Sequence, residues 1–171
     1  GGDVMTKLGV STSLLPGGEI FSALEKGVID ASEFSMPVVD KLLGFHKIAK
    51  FNYFPGWHQQ ATVFELLINN NTWNKMSTMQ QNAIAMTCKA NMTDSLAESE
   101  AVQGAAIREN IEKNGVQVKR WSPEMLTAFR GAWEDALVDL RKDETFDAVW
   151  KDLSAFRKDY KFWNELAFLP R

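Results

Sequence analysis

Glu33 is the carboxylate whose setting invites chemistry. It follows the apolar run Val28-Ile29-Asp30-Ala31 and is flanked by Ser32 and Phe34. In open α/β sheets, ligands gather at the ends of strands. The competing reading is a glutamate that caps the next helix or stands exposed at a turn. A second place is Pro55-Gly56-Trp57-His58-Gln59-Gln60, where aromatic and amide groups crowd a turn between two expected strands. Hydrogen-bonding groups beside a flat apolar wall suit a small polar ligand; packing of Trp57 against the core is the alternative. Other chemistries lack their residues. His46 and His58 lie 12 residues apart with no HExxH or paired-ligand spacing, so no zinc site is expected. There is no GxSxG elbow, no GxxxxGK[ST] phosphate loop and no GxGxxG. Pro16-Gly17-Gly18 lacks the remaining glycines and reads as a helix entry. The single cysteine, Cys88, excludes an intrachain disulfide and a thiolate metal site, and its neighbours Ala85, Met86 and Ala90 predict a small core residue. The remaining acids fall on helix faces where solvated charge is the default.

The elements that would position these residues follow β-α-β grammar, which predicts a parallel sheet. A helix is expected from Asp3 to Leu8, a strand from Val10 to Leu15, then an amphipathic helix after Gly18 that buries Ile20, Phe21 and Leu24. Gly27 stops it, Val28 to Ala31 is the next strand, and Met36 to Leu43 is a short helix ended by Gly44. Lys50 to Asn69 becomes extended and aromatic, with Thr62 to Ile68 alternating as a strand. Ser77 with Gln80 three residues on has the spacing of a capping box. Nothing up to Lys113 stops the helix that begins there except Gly104, which is tolerable, and Asn114-Gly115 ends it. Such a rod is about 55 Å long, more than the diameter of a compact domain of this size, and is expected to bridge two bodies. A coiled coil is the alternative, although sustained Leu or Ile at heptad spacing is lacking. Val116 to Trp121 is a strand, Ser122-Pro123 opens a helix to about Lys142, and a last helix starts near Thr145. Phe146, Val149, Trp150, Leu153, Phe156, Tyr160 and Trp163 lie at helical spacing on it and read as a packing stripe.

The 171 residues suffice for one core or for two partial lobes sharing one. At 45% hydrophobic and 24% charged residues, neither disorder nor a membrane span is indicated. A net charge of -3 without a basic stripe argues against nucleic acid as a partner. The Gly1-Gly2-Asp3 start fits a processed or truncated product better than a translation start, so a missing signal says little about compartment.

Several blocks, in order, carry a resemblance: Gly1 to Gly9, Gly17-Gly18-Glu19-Ile20 through Ala23 to Gly27, Ile29 to Phe34, Gly44 to Lys50, Tyr53 to Gln60, and Ala155-Phe156-Arg157. The chain resembles the extracytoplasmic solute-binding proteins of tripartite ATP-independent periplasmic (TRAP) transporters, in the branch that takes keto acids and other organic monocarboxylates. The resemblance implies an α/β fold, the C-terminal half of a two-lobed periplasmic-binding-protein-like molecule with a long lobe-bridging helix. Residues 1–59 would be part of the second lobe. Residues 60–98 would give a crossing strand and the first part of the long helix in the first lobe, and residues 99–171 would return to the second. It implies a periplasmic, non-enzymatic protein that binds a small organic acid and delivers it to membrane permease subunits. The arginine that anchors the carboxylate would lie upstream of Gly1. By position, Glu33 resembles the family's acidic ligand for a bound sodium or calcium ion, with the Phe34 carbonyl beside it. Gln59 or Gln60 falls where relatives place another cation ligand, and Phe34, Trp57 and Glu33 would border the substrate. No organic cofactor is implied. Alternatives are a helical scaffold that binds no small molecule and an α/β enzyme using Glu33 as a base. Taken alone, half of a two-lobed fold is expected to pair with another copy to cover its apolar surface.

Overall fold

A computed structural model describes residues 1–57, 59, 62 and 64–169. Two compact units form, Leu15–Trp121 and Gly1–Leu14 with Ser122–Arg171.

Three helices, a 3-10 turn and a pair of strands build the site-bearing part of Leu15–Trp121. Helix α1, Gly2–Lys7, belongs to the other unit; α2 follows at Gly17–Glu25 and buries Ile20. Helix α3, Pro37–Leu42, starts on proline, whose missing N–H costs nothing in a first turn. Gly44, at φ 83°, separates it from a 3-10 turn at Phe45–Lys47. Strand β1, Phe51–Phe54, ends at a cis Phe54–Pro55 peptide bond. After a short helix α4, Asn70–Trp73, comes the long α5, Thr78–Glu112. It is unbroken over 35 residues, about 52 Å at 1.5 Å per residue. The capping box is complete: Ser77 accepts from the Gln80 N–H at 3.3 Å and Gln80 accepts from the Ser77 N–H at 2.9 Å. Gly115, at φ 67°, turns the chain out of α5 in a conformation that other L-residues enter at a cost of about 1 kcal/mol. Strand β2, Gln117–Arg120, then pairs parallel with β1 in the register Phe51 to Gln117 and Phe54 to Arg120. Tyr53 stacks on Trp121 with ring centroids 4.5 Å apart. Ala106, Asn110 and Val116 are buried; the Val116 N–H donates to the Asn110 carbonyl, and Asn110 Oδ1 accepts from Asn114.

In the second unit, α1 packs on α6, Pro123–Leu140, through buried Val4, Phe129, Ala132 and Ala136, and Lys7 pairs with Asp139 at 3.2 Å. Ser122 caps α6 and Asp143 caps α7, Glu144–Ala167. Trp133 and Trp150 meet edge to face at 5.8 Å, joining α6 to α7.

Four expectations need correction. Among the described residues, Val10–Leu15, Val28–Ala31 and Thr62–Ile68 form no strand. A strand exists only by pairing, and here the only strands that meet are β1 and β2. The run before Glu33 is not buried, with Val28 72% exposed. Cys88 is exposed, because α5 carries no buried residue before Ala106; small neighbours mark an interior only where another element covers them. The stripe on α7 finds partners at Trp150, yet no residue of α7 is buried and Phe156 and Trp163 are exposed.

Candidate functional site

The site grows from the loop between α2 and α3. Its Phe34 ring lies directly over Gly17: a Cβ there would come within 2.7 Å of Phe34 Cε2, so only glycine allows this approach. On its other side Phe34 meets Phe45 edge to face at 5.9 Å. The ring is thus held between the entry of α2 and the 3-10 turn that leads to β1, and it remains partly exposed as a wall would be.

The backbone around Phe34 is tied from both directions. Ser32 donates from its hydroxyl to the Glu33 carbonyl at 3.2 Å. The Ser35 N–H donates to Asp40 Oδ1 at 3.2 Å, so a side chain of α3 reaches back to hold the loop that precedes it. Glu33 stands exposed and close enough to Asp40 for their charges to interact. Burial pushes the Asp40 carboxyl up to about 6, the Ser35 N–H holds it back, and the Glu33 charge adds to the rise. Burial is the main cause of the rise, and the Glu33 charge is a smaller one.

Helix α3 is in turn mounted on α5. The Val38 N–H donates to Gln103 Oε1 at 3.1 Å, and Gln103 Nε2 donates to the Ser99 carbonyl at 2.9 Å. The Ser99 hydroxyl lies 3.3 Å from Met36 Sδ, and Lys41 forms an ion pair with Glu109. That ammonium holds the Glu109 carboxyl below the usual range. Nearby, burial and then the charges of Lys47, Lys41 and Lys50 lower the affinity of His46 for a proton.

Glu33 and Phe34 therefore sit on a braced loop. Trp57 is half-buried beyond β1, and Gln59 is exposed and donates to Thr62 Oγ1 at 2.9 Å. Gln60 and His58 lie outside the described residues. No cluster of three or more His, Cys, Asp or Glu side chains that could hold a metal occurs among the described residues. Carboxylate, main-chain carbonyl and amide oxygens are the hard donors that sodium and calcium take. Asp40 and Gln103 escaped the sequence reading. Asp40 carries the signal of an acid in a helix's first turn, whereas Gln103 sits 65 residues from its partner and carries none.

The architecture occurs in a known class of protein. Residues 1–143 match the model of the bacterial extracellular solute-binding proteins, family 7 (DctP), and the chain belongs to that family. It is 36% identical over 168 residues to a monocarboxylate 2-oxoacid-binding periplasmic protein of Nostoc sp., covering 97% of this chain and 46% of that protein. Three solved structures of TRAP transporter solute-binding proteins are similar. That from Bordetella bronchiseptica, a mixed-occupancy dimer with calcium and picolinate bound, is 31% identical with a TM-score of 0.86 over 97% of this chain and 49% of its own. That from Pseudoalteromonas atlantica, with sodium and pyruvate, is 26% identical with a TM-score of 0.87, covering 97% and 51%. That from Colwellia psychrerythraea, with calcium and pyruvate, is 28% identical with a TM-score of 0.86, again covering 97% and 51%. The chain thus spans about half the length of the relatives it matches, and its helix-rich α/β fold is that of half of a two-lobed solute-binding protein.

Proposed function

We propose that the full protein is the periplasmic solute receptor of a TRAP transporter, binding a small 2-oxo acid or related monocarboxylate with a cation and handing it to the membrane permease. The observation that carries this reading is the likeness along 97% of the chain to proteins holding pyruvate with sodium or calcium. The reaction is binding, closure and release, with no bond made or broken. In this reading residues 1–59 and 99–171 contribute to the second lobe and residues 60–98 to the first.

Glu33, through its carboxylate, and Phe34, through its main-chain carbonyl, would hold the cation, with Gln59 or Gln60 supplying an amide oxygen. The Phe34 ring, fixed between Gly17 and Phe45, and Trp57 would wall the acid. Taken without further chain, the 171 residues pair with a second copy.

Thermal unfolding of the full protein with pyruvate and a panel of other organic acids, each with and without calcium or sodium, tests the function. Melting temperature should rise with a 2-oxo acid and rise further with the cation. Ligand at about 100 times its dissociation constant adds about 2.7 kcal/mol of stability. No shift with any acid supports a scaffold instead, and product formation supports an enzyme.

A further inference from the structure

We infer that Gln103, in the middle of α5, is a positioning residue for the ledge formed by Glu33 and Phe34. This rests on the binding function proposed above and assigns a role to a residue that is itself outside the ledge.

The second residue of a helix has an N–H that no carbonyl of its own helix can accept. In α3 that residue is Val38, and its N–H is taken by Gln103 Oε1 at 3.1 Å. Gln103 cannot rotate freely to do otherwise, because its Nε2 donates at 2.9 Å to the Ser99 carbonyl one turn earlier. The amide's oxygen and one of its two N–H donors are thus both placed, which also fixes which end of the amide faces α3. Ser99, Gln103, Ala106 and Asn110 recur at helical spacing along one face of α5, and the last two are buried. Gln103 therefore projects from the packed face of the rod.

The consequence reaches the ledge through a short rigid path. Val38 is the second residue of α3, Asp40 in its first turn accepts from the Ser35 N–H, and Met36 touches Ser99. Only Ser35 and Met36 separate Phe34 from the helix. Turning the start of α3 by one rotamer's width re-aims the Phe34 carbonyl and the Glu33 side chain together. Lys41 with Glu109 fixes the far end of α3 to the same rod, so Gln103 sets the direction in which α3 points. Outer hydrogen bonds govern how well a ligand atom meets its cation, and Gln103 acts one step further out, through the start of α3.

The test uses the full protein with pyruvate and calcium. Gln103→Met keeps the length of the side chain and removes the acceptor; Gln103→Glu keeps an acceptor oxygen facing Val38. For Gln103→Met, the calcium concentration that half-saturates the pyruvate response should rise about tenfold, while for Gln103→Glu, which keeps the acceptor for Val38 and loses only the Nε2 donor to Ser99, it should rise by less. A merely structural role would lower the melting temperature of both variants and leave the calcium requirement unmoved, which overturns the inference. So does a Gln103→Glu protein impaired as much as Gln103→Met. Should Gln103→Met fail to fold, amide exchange in the wild-type protein decides. A Val38 amide that is protected, and more so with calcium and pyruvate, supports the role; one exchanging as in an open chain overturns it. A wild-type protein that answers to no 2-oxo acid sinks the binding function and this inference with it. A responsive wild type beside an unchanged Gln103→Met sinks the inference alone.

Discussion

Asp40 is held in a charged form that its surroundings disfavour. Its carboxyl is raised from 3.8 to about 6 by burial, with Glu33 adding to the rise. A group whose folded pKa exceeds its unfolded one contributes stability below the unfolded value, and that contribution is lost as pH rises through the folded value. Between about pH 4 and pH 6 the native state therefore loses stability on account of Asp40. The full rise would be worth about 3 kcal/mol, and solvent screening of a half-buried group leaves roughly 1 kcal/mol of that. Asp40→Asn keeps an oxygen for the Ser35 N–H and discards the charge. With cations chelated, it should melt above wild type at pH 7.5 by that margin and match it at pH 4, as followed by circular dichroism. A variant less stable than wild type at pH 7.5 would sink this account. Glu33 stands out in the sequence as the acid that ends an apolar run, Val28 to Ala31, and that run is largely exposed chain and not a strand, because among the described residues no partner strand lies beside it. Asp40 and Gln103 do not stand out, because what they do depends on a loop and a helix brought together in space.

The long helix was legible because its ends are local chemistry. Ser77 and Gln80 exchange hydrogen bonds three residues apart, and Asn114-Gly115 supplies the left-handed exit. Between them only Gly104 interrupts a run of residues that tolerate a helix. Ser77→Ala removes one of the two reciprocal bonds and should cost about 1 kcal/mol. Denaturant unfolding should read this as a lowered midpoint with an unchanged slope. An unaltered midpoint would mean that the first turn of α5 frays in the native state. Strands were less legible for a physical reason. Alternation along Thr62–Ile68 reports a preference for a pleated, half-covered surface, and whether a partner strand lies alongside is not written in the segment itself. Phe51–Phe54 reads no more strongly as a strand, yet it finds Gln117–Arg120 more than sixty residues away and pairs.

At the scale of the molecule, each unit has a thin interior. Ile20, Ala106 and Val116 are the buried apolar residues of one, and Val4, Phe129, Ala132 and Ala136 those of the other, among the described residues. Against this stands the outer face of α7, where Val149, Leu153, Phe156, Tyr160 and Trp163 follow one another at steps of three and four along a 24-residue helix and are all exposed. A stripe with that spacing is the face a helix offers to another helix. Apolar surface left open to water is stabilised by burial at about 25 cal/mol per Å², and for these 171 residues alone a second copy is the expected cover. Light scattering should find the isolated chain at twice its monomer mass or above. Replacing Phe156 and Trp163 together by glutamate places charge in the middle of the stripe, and two unpaired carboxylates cannot be buried there without protonation. That double variant should return to monomer while keeping its helical circular dichroism. A clean monomer of the unmodified chain at high concentration would show instead that α7 tolerates its exposure, and the packing stripe would then have no partner of its own kind.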